Sequence, residues 1–75
     1  MTIQIPQGKS YLYYTGTNVI QLSDYKDDIE IAFKLCPVGN VRVYIPSEPI
    51  LTSFTTLNNS LSYEIVALRA FEINT

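Results

Sequence analysis

The last long segment of the chain, residues 61–73, reads LSYEIVALRAFEI and contains no glycine and no proline. Its first half alternates between apolar and polar residues, which predicts a β-strand. One unbroken strand of this length would span about 43 Å at roughly 3.3 Å per residue, whereas typical strands have about 5–6 residues. The segment must therefore bend, contain a bulge, or extend past the core to a partner. Because Val66, Ala67 and Leu68 are all apolar, we expect both faces of its middle to be covered, by this fold or by a partner.

Small size limits how the chain can be stabilised. Its 75 residues predict one domain, 1–75, with modest intrinsic stability. A single cysteine, Cys36, excludes an intrachain disulfide, and the lack of histidine excludes a Cys/His zinc site. We interpret Cys36 as a small apolar residue at a strand end rather than as a reactive thiol. Hydrophobic residues make up 47% and charged residues 16% of the chain, below the usual ~25%, and this composition favours a homo-oligomer over a well-packed monomer.

The charge pattern narrows the class of partner. The net charge is −2, and the few basic residues are scattered, so no basic stripe exists to bind phosphates and we expect no nucleic acid. The N-terminus lacks the basic and apolar regions of a signal peptide, and no apolar run reaches the ~20 residues that span a bilayer. We therefore expect no membrane partner and no secretion through a signal peptide. Starting at Met, the chain is expected to be a complete small open reading frame.

The clearest strand pattern covers Ile29–Leu35, where apolar residues alternate with polar or small ones. This period of two predicts that Ile29, Ile31, Phe33 and Leu35 face a core and that the other face is wet. Residues 41–45 alternate in the same way. The turn-forming residues 37–40 between them predict a β-hairpin.

Further short strands are predicted at residues 1–5, 10–14 and 19–22, separated by turns that contain Pro6, Gly8 and Gly16. Residues 50–57 are ambiguous, because their apolar spacing is helical while their threonines favour strand or loop; a single helical turn or an irregular segment is favoured slightly. Six or seven strands with turns every 8–12 residues are typical of an all-β fold. The sequence therefore predicts a small antiparallel β-sandwich or barrel.

Residues suited to catalysis are scarce. Without histidine, one chain cannot assemble a Ser-His-Asp or Cys-His arrangement. Asp24, Asp27, Asp28 and Glu30 surround Lys26 and suggest a calcium loop, but Lys26 stands where a second ligand is needed and no glycine follows, so a solvated loop is favoured. We expect no enzymatic activity, no cofactor and no metal.

The six tyrosines are the most suggestive side chains. Tyrosine offers a large contact area with a polar end, which suits a core cover, a protein interface or a sugar platform. In the second strand Tyr11 and Tyr13 share one face and Tyr14 takes the other. Alternation places Tyr14 and Tyr44 away from the predicted core. The candidate interface residues are therefore Tyr14, Tyr44, Val66 and Leu68, followed by Tyr11 and Tyr13.

Part of the chain resembles small β-modules of bacterial surface proteins and bacteriophage structural proteins. The resemblance lies in residues 41–71, less than half of the chain, and consists of VRVYIP, ILTSFTTL, NNS and LSYEIV in that order. It implies a virion or surface structural protein, and with it a location in a virion or in the cytoplasm of the host cell. It transfers no functional residues to this chain.

The sequence as a whole predicts a non-enzymatic structural or assembly protein that associates with other copies of itself or with a larger assembly. A bacteriophage capsid-decorating, head–tail or tail component fits this description best. Two alternatives remain open: a small soluble module that binds sugar or peptide through its tyrosines, and a phage-encoded inhibitor of a host protein.

Overall fold

The chain folds into short strands joined by turns, in a computed structural model that describes residues 2–35 and 41–75. The strands are β1 (Thr2–Ile5), β2 (Gly8–Tyr14), β3 (Ile20–Gln21), β4 (Ile29–Leu35), β5 (Arg42–Tyr44), β6 (Thr56–Leu57), β7 (Leu61–Ala67) and β8 (Phe71–Asn74). Two 3₁₀ turns lie at Leu22–Tyr25 and Pro49–Leu51. The all-β prediction is confirmed. Cys36 and the predicted turn at 37–40 lie outside the described residues.

The strands form three antiparallel sheets. The largest has the order β2-β7-β4-β5, while β1 pairs with β8 and β3 pairs with β6. The hairpin predicted from residues 29–45 is confirmed, since β4 and β5 pair with Ala32 opposite Tyr44. In sequence β7 is far from both of its neighbours, so long-range contacts hold the central sheet together.

The segment at 61–73 bends, and it supplies two strands instead of one. β7 ends at Ala67 and β8 begins at Phe71 in a different sheet. At the bend, the Arg69 guanidinium lies 2.8 Å from the Asp28 carboxylate and donates to the Asp27 carbonyl at 2.8 Å. The bend returns the chain to the core, where Ile73 is fully buried. This extra strand is the reason the described residues contain eight strands rather than six or seven.

A β-bulge in β4 changes which residues face the core. Ile29 pairs with Ala67 of β7, but Ile31 pairs with the adjacent Val66, so the register shifts between them. Ile29 is buried while Ile31 is only half-buried. The prediction that Ile29, Ile31, Phe33 and Leu35 share a core face is therefore wrong, because a bulge adds a residue to one strand and reverses the alternation beyond it.

The core lies on one side of the four-stranded sheet. The two smaller sheets and Leu22 cover that side, and they bury Ile5, Ile20, Leu57 and Ile73 against it. The sheet contributes buried residues from all four of its strands: Tyr14, Ile29, Ala32, Tyr44, Tyr63, Ile65 and Ala67. Between the two layers the aromatic rings of Tyr44, Phe54 and Tyr63 pack in sequence, with centroid separations of 6.4 and 5.8 Å.

The ambiguous segment 50–57 divides into two parts. Its start belongs to the 3₁₀ turn Pro49–Leu51, and its end forms β6. The preference for a single helical turn is thus partly right. Between the two parts, the Ser53 hydroxyl accepts from the Val43 N–H of β5, and the Thr52 hydroxyl accepts from the Ile45 N–H just after β5. These bonds hold the backbone of this segment alongside β5, with Thr52 in an extended conformation, so the helix does not continue past Leu51.

Replacing one central core side chain tests this description of the fold. Ile65 is fully buried on β7, whereas Ile50 is 95% exposed in the 3₁₀ turn. We expect Ile65→Ala to lower the free energy of unfolding by about 2–5 kcal/mol, because the deletion leaves a cavity. Ile50→Ala, the same chemical change on the surface, is expected to stay within about 0.5 kcal/mol of the parent chain. Urea unfolding followed by circular dichroism measures both, and equal losses would contradict the assignment of core and surface.

Candidate functional site on the open sheet face

The side of the four-stranded sheet that faces away from the core is rich in apolar residues. Cross-strand partners lie on the same face of a sheet. One row runs Tyr11, Glu64, Phe33, Val43 across the four strands, and the flanking rows follow from the same register. We call this surface the outer face; it consists of Lys9, Tyr11, Tyr13, Ile31, Phe33, Leu35, Val43, Ser62, Glu64 and Val66.

The outer face is open within the described residues. Tyr11 is 69% and Tyr13 59% exposed, and the remaining apolar members are half-buried by their neighbours in the sheet. None of its members belongs to the core cluster or packs against it among residues 2–35 and 41–75. A sheet that is apolar on both faces normally has both faces covered. Here the described chain covers only one.

The charges on the outer face balance. Lys9 Nζ lies 3.7 Å from Glu64 Oε1 and 5.9 Å from the centre of the Tyr11 ring. Lys9 stays largely exposed, while the Glu64 side chain is mostly covered. Because the Lys9 ammonium is exposed to water and the pair is 3.7 Å apart, the pair contributes little stability. Its main effect is to leave the outer face close to neutral, so the face does not repel a partner that carries the same net charge.

The β5 edge of the four-stranded sheet is closed by hydrogen bonds from Thr52 and Ser53. The Val43 N–H donates to Ser53 Oγ at 2.8 Å, and the Val43 carbonyl accepts from the Ser53 N–H at 2.7 Å. The Ile45 N–H donates to Thr52 Oγ1 at 3.1 Å. These bonds occupy the backbone groups of the β5 edge, which would otherwise be free to pair with another strand.

The opposite edge, formed by β2, has β7 as its only neighbour in the described sheet. The Tyr14 carbonyl accepts from the Ser60 N–H at 2.7 Å, at the turn that leads into β7, so Tyr14 directs its backbone groups toward β7. Backbone groups alternate in direction along a strand, and β2 pairs with β7 without interruption. The N–H and C=O groups of Lys9, Tyr11 and Tyr13 therefore point away from the sheet.

Three of the six candidate interface residues lie on the outer face: Tyr11, Tyr13 and Val66. Leu68 is 51% exposed but follows the last residue of β7, and its N–H donates to the Asp28 carbonyl at 2.8 Å. The structure therefore places Leu68 beside the Asp27–Asp28 turn, just beyond the end of β7.

The remaining two candidates, Tyr14 and Tyr44, are buried, so the prediction that they point away from the core is wrong. Tyr14 is fully buried, and its hydroxyl donates to the Asn18 carbonyl. Gly16 lies against its ring, where a Cβ atom would be 2.6 Å from the Tyr14 Cζ. Tyr44 is 7% exposed and lies opposite Ala32, whose small side chain leaves room for the ring. Tyr14 does lie on the opposite face of β2 from Tyr11 and Tyr13, as predicted, but the face that carries Tyr14 is the one that meets the core.

Sequence reasoning missed four apolar residues of the outer face: Ile31, Phe33, Leu35 and Val43. The first three were assigned to the core because the bulge at the start of β4 is not visible in the alternating pattern. Val43 lies opposite Phe33 and therefore shares its face of the sheet. Two features of the sequence could have revealed this apolar outer face: the alternating apolar residues of β4, and Val66 in the apolar middle of the 61–73 segment. Apolar residues on both faces of a sheet indicate two contact surfaces.

The acidic segment 24–30 is held by Arg69, which contacts both Asp27 and Asp28. Within the described residues, no group of three or more Cys, Asp or Glu side chains is close enough to hold a metal ion. A surface depression near this segment is lined by Lys26, Glu30 and Leu68 among others and is open to solvent.

Comparisons with known proteins do not indicate a function for this chain. No family model, curated protein or solved structure matches this chain. No helix within residues 2–35 and 41–75 has the length and apolarity that crossing a bilayer requires.

The burial of Tyr44 predicts a specific dependence of stability on pH. Burial raises the pKa of the Tyr44 phenol above its ordinary value of 10.0. The folded state therefore favours the protonated phenol, and this stabilisation is complete below about pH 10 and is lost as the pH rises through the folded-state pKa. We expect Tyr44→Phe to retain stability in alkali where the parent chain loses it. Urea unfolding at a series of alkaline pH values measures the difference, and parallel curves would contradict the burial of this phenol.

Proposed function

We propose that this protein is a non-enzymatic structural or assembly protein that works by protein–protein association, and that the outer face is its contact surface. The observation that carries the proposal is the set of apolar and aromatic side chains that the fold leaves outside its core: Tyr11, Tyr13, Ile31, Phe33, Leu35, Val43 and Val66.

The composition of the outer face supports this proposal. Protein interfaces are enriched in aromatic residues and depleted in charged residues at their centre. Phe33 lies in the middle row of the outer face, and the only charged members are the paired Lys9 and Glu64. With strands spaced about 4.8 Å apart, four strands of up to seven residues cover roughly 400 Å². Patches of about 300–600 Å² are the largest on typical monomers and are often functional.

The finer assignment, to a bacteriophage virion as a capsid-decorating, head–tail or tail component, rests on the resemblance of residues 41–71 to small virion and surface β-modules. Such a component needs shape complementarity and an apolar contact surface, and it needs no catalytic group. This part of the proposal is tested by mass spectrometry of phage or phage-like particles from cells that carry the gene. The chain is expected in a fixed ratio to the major particle protein, and its absence from the particles would contradict the virion role.

A charged residue at the centre of the outer face is expected to weaken association through that face. Phe33 lies opposite Glu64, so Phe33→Lys places a cation beside an anion and preserves the fold. We expect this variant to weaken association at least about tenfold, because central interface aromatics contribute most of the binding energy. The matched control is Ile50→Lys, which makes the same change in charge at a 95% exposed residue and is expected to associate normally.

Sedimentation over a wide range of concentration measures this association, with the 8.5 kDa monomer as the reference. A parent chain that stays monomeric throughout and is retained on no larger particle would contradict the proposal. A monomer that instead binds a glycan or a short peptide, and loses that binding in Tyr11→Ala or Tyr13→Ala, would favour a ligand-binding module.

A further inference from the structure

We propose that β2 pairs with β2 of a second copy in antiparallel orientation, centred on Tyr11, so that two four-stranded sheets join into one continuous sheet. This inference deepens the proposed function and rests on it, because it names the first partner in the association as another copy of the same chain. It uses the edge of the sheet, whereas the proposed function uses the outer face.

The pairing requires an edge whose backbone groups are not already bonded, and the two edges of the sheet differ in this respect. Ser53 and Thr52 occupy the backbone groups of the β5 edge. At the β2 edge, the outward N–H and C=O groups belong to Lys9, Tyr11 and Tyr13, and β2 is a seven-residue strand without a proline or a register shift. A long and regular edge strand of this kind is a template for another strand.

The sequence of β2 complements itself around Tyr11. In antiparallel pairing about a two-fold axis, Tyr11 faces Tyr11 of the second copy, and Lys9 faces its Tyr13. Every outward backbone group of these three residues on one copy then meets an outward group on the other, because residues opposite each other in such a pair exchange both hydrogen bonds. A shift of the register would leave some of these groups without partners.

The same register also gives each Lys9 a favourable neighbour and keeps the two Lys9 side chains apart. Lys9 lies opposite the ring of Tyr13 in the second copy, a favourable arrangement for a cation and an aromatic face. The two Lys9 residues lie about 13 Å apart along the strands, at roughly 3.3 Å per residue. Lysine on an edge strand usually prevents pairing. Here the lysine is displaced from the symmetry axis and already contacts Glu64 and the Tyr11 ring within its own chain, so it does not oppose its own copy.

The area of the outer face gives a reason for joining two copies, given the proposed function. One outer face covers roughly 400 Å², which is about half of the ~800 Å² per partner found in stable interfaces. Pairing through β2 places the outer faces of the two copies side by side on one continuous sheet. The joined surface then reaches the size that docking on a larger assembly requires.

Opposite charges placed at residue 13 test the register. Tyr13→Lys sets a lysine opposite Lys9 of the second copy, and Tyr13→Glu sets a glutamate there instead. We expect Tyr13→Lys to dimerise at least about tenfold more weakly than Tyr13→Glu, because like charges directly opposite each other in a sheet are destabilising. The chain has a net charge of −2, so a non-specific charge effect would favour the lysine variant and give the reverse order. The Ile50→Lys and Ile50→Glu pair measures that non-specific effect.

Residue 11 provides the complementary test. Because Tyr11 faces its own copy, Tyr11→Lys and Tyr11→Glu are both expected to weaken dimerisation, whatever the sign of the charge. Sedimentation gives the dissociation constants, and circular dichroism at low concentration confirms that each variant is folded. In the parent chain, amide hydrogen exchange is expected to slow at Lys9, Tyr11 and Tyr13 as the concentration rises.

Each alternative outcome is decisive. If both variants at residue 13 weaken association equally, edge pairing is wrong while association through the outer face stands. If the chain is monomeric and joins no particle, both proposals fail. If the three amides become protected only when a different protein is added, the second copy is the wrong occupant of this edge.

Discussion

The pairing of β7 with β2 on one side and with β4 on the other is the interaction on which the rest of the structure depends. β7 presents Tyr63, Ile65 and Ala67 to the core, where all three are buried. Its alternate residues form the middle of the outer face. Since 75 residues supply only two further small sheets in the described part of the chain, one face of the central sheet is covered and the other is left open.

Much of the local structure could be predicted from the sequence, because alternation and turn residues act over short distances. The strand at Ile29–Leu35 and its hairpin partner follow from period-two patterning, and so does the placement of Tyr14 opposite Tyr11 and Tyr13. The choice of core face could not be predicted, because it depends on which strands become neighbours. The bulge in β4 is equally hidden, since it exists only relative to β7. The prediction for Tyr14 and Tyr44 is wrong because the core face depends on which strands become neighbours. The prediction for Ile31 and Phe33 is wrong because of the bulge.

The two ends of the sheet show how the chain can direct association. Side chains from the segment after the 3₁₀ turn at Pro49–Leu51 close the β5 edge, which prevents unlimited edge-to-edge growth. The β2 edge has no such cover in the described residues, and pairing about a two-fold axis consumes it. Under the proposed pairing, a sheet with one closed and one open edge would form a closed dimer, whose outer faces stay open to a larger partner. Low charge and abundant tyrosine, which gave no catalytic interpretation, fit this use.

The central claim is that the outer face is exposed in the single chain and becomes covered on association. A soluble paramagnetic probe in an NMR titration measures this directly, because it broadens the signals of exposed methyl and aromatic groups. The account predicts strong broadening of Ile31, Phe33 and Val66 at low concentration, and protection of the same signals once the outer face itself is in contact with a partner, while Ile65 and Ile73 stay protected throughout. Signals of the outer face that are protected in the dilute monomer, or that broaden equally in the fully assembled state, would contradict it.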